Sequence, residues 1–378
     1  MSRVKGWCPG AHRPMMSGDG LVVRVRPRLA RLDRAQALGL AALAQRFGNG
    51  VIDLTSRANL QIRGVAEADH EALLQELARL DLLDADASLE RRRNVLVTPF
   101  WQPGDLTERL THALLEALPA LPELPAKVGF AIDTGSAPLL GGASADLRLE
   151  RGASGLILRA DGAARGRPVT EQDAIPALLE MARWFDANRS NSARRMRAVV
   201  GQAALPEGWQ TEAPRPAGPL PEPGPQTAGM VIGAAFGQFD AAELECLLDE
   251  SDATAIRVTP WRMLLLEGVA DLPAGPFITT PGDPLLGVDA CPGAPFCASA
   301  SVETRPLARK LAARLARDAA GPGGLHVSGC AKGCARARPA ARTLVGRDSR
   351  FDLVENGGAG DPPSQTGLSP EDLVTGAI

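Results

Sequence analysis

Ile52-Asp53-Leu54-Thr55-Ser56-Arg57-Ala58-Asn59-Leu60-Gln61-Ile62-Arg63-Gly64-Val65 reads as a short strand, a polar turn and a second strand. The same length of chain recurs as Ile256-Arg257-Val258-Thr259-Pro260-Trp261-Arg262-Met263-Leu264-Leu265-Leu266-Glu267-Gly268-Val269. Ile, Thr, Gly and Val return at matched places, with Thr55 against Thr259 and Gly64 against Gly268. A match of this size arises by chance in unrelated chains, so the surrounding element order has to carry the argument. Before the first copy come a strand, Leu21-Val22-Val23-Arg24-Val25, and a helix capped by Asp33 that ends at Gly48. Before the second come Met230-Val231-Ile232 and a helix opening with Asp240 and Glu243 in capping-box spacing. Both stretches are β-α-β-β, which makes the chain a pseudo-two-fold repeat.

Beyond the first copy, a helix over residues 67–83 and the basic run Arg91-Arg92-Arg93 lead to a strand at Asn94-Val95-Leu96-Val97. Strands at Val128–Ile132 and Gly155–Leu158 then alternate with helices near 107–118 and 171–188. Seven prolines between Pro206 and Pro225 exclude helix and central strand and mark an extended linker. The expected division is a first βαββ half (1–84), a mixed α/β domain (85–205), the linker (206–225), a second half (226–280) and a last α/β domain (281–378). That last part has a helix from Thr304 to Asp318 and closing strands near 342–346 and 351–354. The fold class is α+β, a pair of ferredoxin-like βαββ halves with two mixed α/β domains.

The strongest chemical signal lies near the end, where four of six cysteines fall as Cys291-Pro-Gly-Ala-Pro-Phe-Cys297 and Cys330-Ala-Lys-Gly-Cys334. Thiolates favour iron–sulfur clusters, zinc or Cu(I), and the open C-x5-C pair suits a cubane better than a zinc knuckle. Buried structural thiols or two disulfides are the plainer alternatives. Gly293, Gly329 and Gly333 allow backbone N–H groups to approach sulfur closely. Of the two other cysteines, Cys246, with Leu244, Leu247 and Leu248 on a helix, reads as core. Cys8, in an irregular segment, reads as reactive or packed.

A second group reads anions. Arg57, Asn59 and Gln61 sit at and after a hairpin turn, and strand alternation sends Asn59 and Gln61 to one face as a fork suited to carboxylates. The plainer reading is a solvated loop, as it is for Arg91 to Arg93. Lys127 and Lys332 stand out in a chain whose 41 Lys and Arg residues are nearly all Arg, a hint that a compact ammonium is wanted there. His12 and His326 are the better placed histidines for iron, although His326, four residues before Cys330, could equally hydrogen-bond sulfur. His70 and His112 lie on amphipathic helices.

A net charge of −3 gives no overall polyanion-binding field, which argues against nucleic acid. No apolar run spans a membrane, and a cytoplasmic protein with reduced thiols is expected. Tyrosine is absent, which removes tyrosyl chemistry.

The C-x5-C and C-x3-C pairs, the Thr-x-Arg-x-Asn-x-Gln hairpin, Arg93-Asn94-Val95 and the βαββ halves together resemble the sulfite/nitrite reductase family. The resemblance covers nearly the whole chain. It implies a [4Fe–4S] cluster on Cys291, Cys297, Cys330 and Cys334, and a tetrapyrrole facing Arg57, Asn59, Gln61, Arg93 and Lys127, with Lys332 near substrate or a thiolate. Ala126-Lys127-Val128-Gly129 stands where the reductases carry a strongly basic run, and Ala331-Lys332 where they carry Pro-Asn. These departures, with the opening Cys8-Pro9-Gly10 and Gly18-Asp19-Gly20, resemble one branch in which the tetrapyrrole is substrate. There precorrin-3A is hydroxylated at C20 by O2, with γ-lactone closure, in cobalamin biosynthesis. An electron-donating reductase and ultimately NAD(P)H are implied, and a mononuclear non-haem iron is the usual device for O2. No catalytic residue is named by the sequence. A sirohaem-dependent sulfite or nitrite reductase and a non-catalytic iron–sulfur electron-transfer or redox-sensing protein are the rival readings.

Overall fold

The computed structural model describes residues 9–315 and 324–376, so Cys8, and the far end of the helix expected to reach Asp318, lie outside the described residues. The first half runs β1 (Met15–Ser17), β2 (Gly20–Val25), β3 (Arg31–Asp33), α1 (Arg34–Phe47), β4 (Val51–Leu54), β5 (Leu60–Val65) and α2 (His70–Arg79). After α3 (Ala87–Arg92) come β6 (Val95–Val97), α4 (Leu106–Ala117), β7 (Phe130–Asp133), β8 (Leu147–Arg151), β9 (Leu156–Ala160), β10 (Arg167–Val169), α5 (Glu171–Asn188) and α6 (Met196–Val200). The second half is β11 (Gly224–Gln226), β12 (Gly229–Gly233), β13 (Gln238–Asp240), α7 (Ala241–Asp249), β14 (Ala255–Val258) and β15 (Met263–Glu267). The last part holds β16 (Val288–Ala290), α8 (Arg305–Leu315), β17 (Leu325–Ser328), β18 (Ala340–Arg347), β19 (Arg350–Gly357), β20 (Gln365–Leu368) and α9 (Pro370–Thr375).

The two halves build five-stranded antiparallel sheets in equivalent order, β1-β2-β5-β4-β13 and β11-β12-β15-β14-β3. Each half lends its short third strand to the other: β13 pairs with β4, and β3 with β14. The residues that repeat in the sequence do the same work in both hairpins. Thr55 Oγ1 accepts from the N–H groups of Arg57 (3.3 Å) and Asn59 (3.2 Å), and Thr259 Oγ1 from those of Trp261 (3.3 Å) and Met263 (3.3 Å). Gly64 (φ +73) and Gly268 (φ +80) both hold left-handed backbone, which side chains disfavour.

Helices α1 and α7 start alike. Asp33 closes a capping box with Gln36, and Asp240 closes one with Glu243. Their apolar stripes, Leu40 and Ala44 on one and Leu244 and Leu248 on the other, bury into a core common to both sheets. Cys246 is not part of it. Two residues on from Leu244 along a helix is the opposite face, and Cys246 is exposed, its thiol donating to Glu250 at 3.3 Å. Helix α2 is shorter than its apolar pattern suggests, because residues 67–69 form a 3-10 turn and the last turn ends at Arg79. The basic run at Arg91 to Arg93 closes α3, with Arg91 exposed as a solvated charge run would be and Arg93 buried.

The middle part is a mixed sheet, β10-β9-β8-β7-β6, over a core of its own with α4 and α5. Residues 207–210 form a turn that buries Trp209 in this core, and the proline-rich residues 211–223 then cross its surface without helix or long strand, touching it at Gly166↔Glu212 and Gly152↔Pro214. The last sheet, β16-β17-β18-β19-β20, has α8 packed on one face through Leu307 and Leu311.

One close approach sets β12 against β15 in the second half. Gly229 has φ +140, and a Cβ there would lie 1.9 Å from the Leu266 carbonyl oxygen on β15. Gly229→Ala is expected to lower the unfolding free energy by about 1–3 kcal/mol through backbone strain alone, measured as a shift of the urea midpoint.

Candidate functional site

The site is built on the face of the first sheet that looks away from the core. Along β2 and β5, Val23, Val25, Leu60 and Ile62 are buried inward. Alternation therefore turns Arg24, Arg26, Asn59, Gln61 and Arg63 to the other side. Arg24 stands opposite Gln61, which stands opposite Asp53. Arg63 is held from both sides, donating to Asp53 (3.1 Å) and to Asp19 (2.8 Å). Asp53 also accepts from Gln238 of the exchanged strand (3.1 Å) and pairs with Arg305 of α8 (3.5 Å).

At the other end of this face four guanidiniums gather. Arg26, paired with Glu90, lies within electrostatic reach of Arg24, Arg93 and Arg57. Burial first, then Arg24 and Arg93, push its pKa down to about 9. Positive charge is therefore crowded there, and an incoming anion would relieve the crowding. Arg57 leaves the hairpin turn to reach the Lys127 carbonyl (3.3 Å) and Ser144 Oγ (3.4 Å) of the middle part, while its Nε has no partner. Lys127 is exposed beside it. Asn59 is buried and shares a small cavity with Arg26, Arg28 and Arg93. Arg93 is committed inward, donating to Asp84 (2.7 Å) and to the Arg26 carbonyl (2.7 Å).

Of the expected anion-reading residues, Arg57, Asn59 and Lys127 thus share one region, Gln61 sits next along the face toward the cysteines, and Arg93 buttresses Arg26 from behind. Lys332 belongs elsewhere, on the cysteine loop. Arg24, Arg26, Arg63 and Arg305 were not singled out by sequence. The signal for the first two was present, since arginine at alternate places in Val23-Arg24-Val25-Arg26 sets charge on the same face as Asn59 and Gln61.

In the second half the equivalent face carries Trp261, Met263 and Leu265 in place of Arg57, Asn59 and Gln61. Met263, Leu265 and Val231 pack there under Phe100 and Trp261.

The cysteines follow the last sheet's first two strands. Cys291 leaves β16 buried, with the Gly329 N–H directed at its sulfur (3.1 Å) and the Thr304 hydroxyl on its carbonyl. Gly293 has φ +69, and a Cβ there would meet Thr304 Oγ1 at 2.6 Å. Cys330 and Cys334 follow β17 around Gly333 (φ +60). Burial raises the Cys334 thiol pKa, Lys332 opposes this, and Cys330, Cys291 and Cys297 each raise it further, so the four thiols share one electrostatic neighbourhood. The described cysteines are free. No three His, Cys, Asp or Glu side chains among the described residues converge as they would around a single ion. Four thiols in one neighbourhood, with a backbone N–H aimed at the Cys291 sulfur, are a donor set that fits a cubane. A separate mononuclear iron finds no donor set among the described residues. His12 is bonded to the Asp84 carbonyl (2.7 Å), His70 to the Ala11 carbonyl (2.9 Å), and His112 is exposed.

The cysteine loop and the anion-reading face are tied together. The Phe296 carbonyl, one residue before Cys297, accepts from Ser17 Oγ (2.9 Å), the Gly18 N–H (3.2 Å) and Arg63 (3.5 Å). Arg305 bridges the same gap, close to Asp53, Arg63 and Cys291, and burial lowers its pKa.

The chain is similar to known proteins of one family and fold. Residues 13–80 match the nitrite/sulfite reductase ferredoxin-like half domain. A precorrin-3B synthase from Sinorhizobium sp. is 31% identical over 96% of this chain and 85% of its own length. The ferredoxin–nitrite reductase of Synechococcus elongatus is 25% identical over 90% of this chain and 78% of its own. The structure of the Mycobacterium tuberculosis NirA protein superposes with a TM-score of 0.66 over 94% of this chain and 79% of its own, at 16% identity.

Proposed function

The chain belongs to the precorrin-3B synthase branch of the nitrite/sulfite reductase family of oxidoreductases, and from that premise we propose that it converts precorrin-3A to precorrin-3B. C20 of the tetrapyrrole is hydroxylated and an acetate arm closes a γ-lactone. One oxygen atom of O2 enters the product and the other leaves as water, which requires two electrons and two protons from outside. A [4Fe–4S] cluster on Cys291, Cys297, Cys330 and Cys334 would relay those electrons one at a time from a reductase, ultimately from NAD(P)H.

The observation that carries the reading is the crowded guanidinium edge of Arg24, Arg26, Arg57 and Arg93 on the same sheet face that runs, through Arg63 and Arg305, to the cysteines. Acetate and propionate arms are the anions such an edge takes. Arg26 and Arg93 are already partly neutralised by Glu90 and Asp84. That moderates the pull on the macrocycle, as suits a substrate that must leave after turnover rather than a cofactor that must stay. Arg57 and Lys127 would orient the arms from the middle part's side, and Asn59 and Gln61 would donate their amide N–H groups. No helix of the described residues is long and apolar enough to cross a membrane.

Anaerobic purification followed by iron, sulfide and tetrapyrrole quantitation tests the assignment. Iron and sulfide in near-cubane ratio without a resident macrocycle is the expected result. A stoichiometric sirohaem band would make the macrocycle a cofactor and move the function to nitrite or sulfite reduction. In the same preparation, an Arg57→Ala, Lys127→Ala double variant is expected to bind a carboxylate-rich tetrapyrrole about tenfold more weakly or worse for each lost charge-assisted contact. Unchanged affinity in a fluorescence-quenching titration would displace the clamp from these residues.

A further inference from the structure

His326 sits within β17, fully buried, and neither Nδ1 nor Nε2 has a hydrogen-bond partner. A buried polar group left unpaired gives up about 1–3 kcal/mol, so a native position of this kind calls for a reason. Leu325 and Val327 face the core under α8, which turns His326 and Ser328 to the sheet's other face, in register with Asp289 of β16 and Thr343 of β18. Over that face lies the Cys330–Cys334 loop. A Cβ on Gly333 would come 3.7 Å from His326 Cε1, and Ser328 Oγ donates to the Cys330 carbonyl at 2.7 Å.

The other polar groups around the ring are committed. Asp289 accepts from Arg262 and from Arg336 (2.8 Å). Arg262 also donates to the Ala335 carbonyl (2.7 Å), Arg336 to the Pro339 carbonyl (3.1 Å) and Thr343 to the Gly357 carbonyl (2.8 Å). Burial, with Arg336 and Arg262 nearby and only Asp289 opposing, lowers the His326 pKa to about 4. The ring is therefore neutral, with one N–H to give and one bare nitrogen. The loop over it runs from Cys330 to Cys334 and approaches the ring at Gly333.

We propose that His326 donates its ring N–H to a sulfur of the cluster on the Cys330–Cys334 side, acting as a positioning residue that tunes the cluster and not as an iron ligand. The inference rests on the four cysteines holding a [4Fe–4S] cluster. A hydrogen bond to sulfur favours the reduced, more negative state, so His326 raises the reduction potential and eases acceptance of each electron.

The test uses the full chain, purified anaerobically, with histidine alone labelled with 15N. Iron and sulfide are counted first, since wild-type protein lacking both would end the cluster reading and this inference with it. In the reduced cluster, pulsed EPR is expected to show a weak 15N coupling, and His326→Gln is expected to abolish it while keeping iron and sulfide. The midpoint potential is expected to fall in His326→Leu and to lie between the two in His326→Gln, whose amide retains an N–H. A fully loaded wild-type cluster with no 15N coupling would overturn the inference and leave the cluster reading standing, even if neither variant folded. A His326→Leu potential equal to wild type at full loading would overturn it equally.

Discussion

Cys291→Ser protein, prepared without oxygen, should come out folded and nearly free of iron and sulfide, against about four of each per wild-type chain for a cubane. Its tetrapyrrole-oxidising activity should fall below detection. Serine oxygen is a hard, weakly acidic donor that iron–sulfide clusters do not favour. Cys291 is also the buried anchor of the set, its sulfur facing the Gly329 N–H and its carbonyl held by Thr304. Cys246→Ser is the matched control. Its thiol is on the exposed side of α7, bonded to Glu250, and its loss should leave iron content and activity as they were. Full iron and sulfide in Cys291→Ser would remove this cysteine from the ligand set.

Arg63→Met is expected to be the most destabilising single change on the anion-reading face. It leaves Asp19 and Asp53 with side chains only 8% and 12% exposed and their shared cation gone. Stripping one partner from a buried ion pair typically lowers stability by about 3–5 kcal/mol, read here from urea unfolding of the cluster-free chain. The same change releases one of three donors on the Phe296 carbonyl, so in loaded protein iron should pass to a chelator faster. Arg63→Lys should recover only part of the stability, because one ammonium cannot reproduce a guanidinium that spans Ser17, Asp19, Asp53 and Phe296. Adding Asp19→Asn to Arg63→Met should recover part of the stability, since Asp53 keeps Arg305 as a cation and no bare Asp19 charge then stays buried. An Arg63→Met stability within about 1 kcal/mol of wild type, the range of an exposed pair, would mean the network is solvated.

The halves, their capped helices and the gathering of four cysteines were legible because each is written in local chemistry. Capping residues, a repeated Thr and Gly, and paired cysteines around glycines keep their meaning wherever the chain goes. Arg57 and Lys127 were legible as a pair on resemblance, and the structure puts Lys127's backbone against Arg57's side chain. Arg93 shows the limit. Whether it faces ligand or protein depends on Asp84 and on the Arg26 carbonyl, 67 residues away in sequence, and nothing in its own neighbourhood specifies either. Cys246 shows another, since three leucines beside a residue say little about its own face on a helix. The exchanged strands were not legible at all. Arg31-Leu32-Asp33 and Gln238-Phe239-Asp240 have the same pattern of one buried residue between two polar ones whichever sheet they join.

That exchange bears on ancestry and stoichiometry. Lending a strand to a neighbour and receiving its equivalent is what two identical subunits do in a swapped, closed two-fold dimer, and here both partners lie on a single polypeptide. A dimer of that kind would carry two equal ligand sites. In this chain one hairpin kept Arg57, Asn59 and Gln61, while its twin became Trp261, Met263 and Leu265 and was sealed under Phe100. The duplicate is interior, so the anion-reading hairpin occurs once per polypeptide.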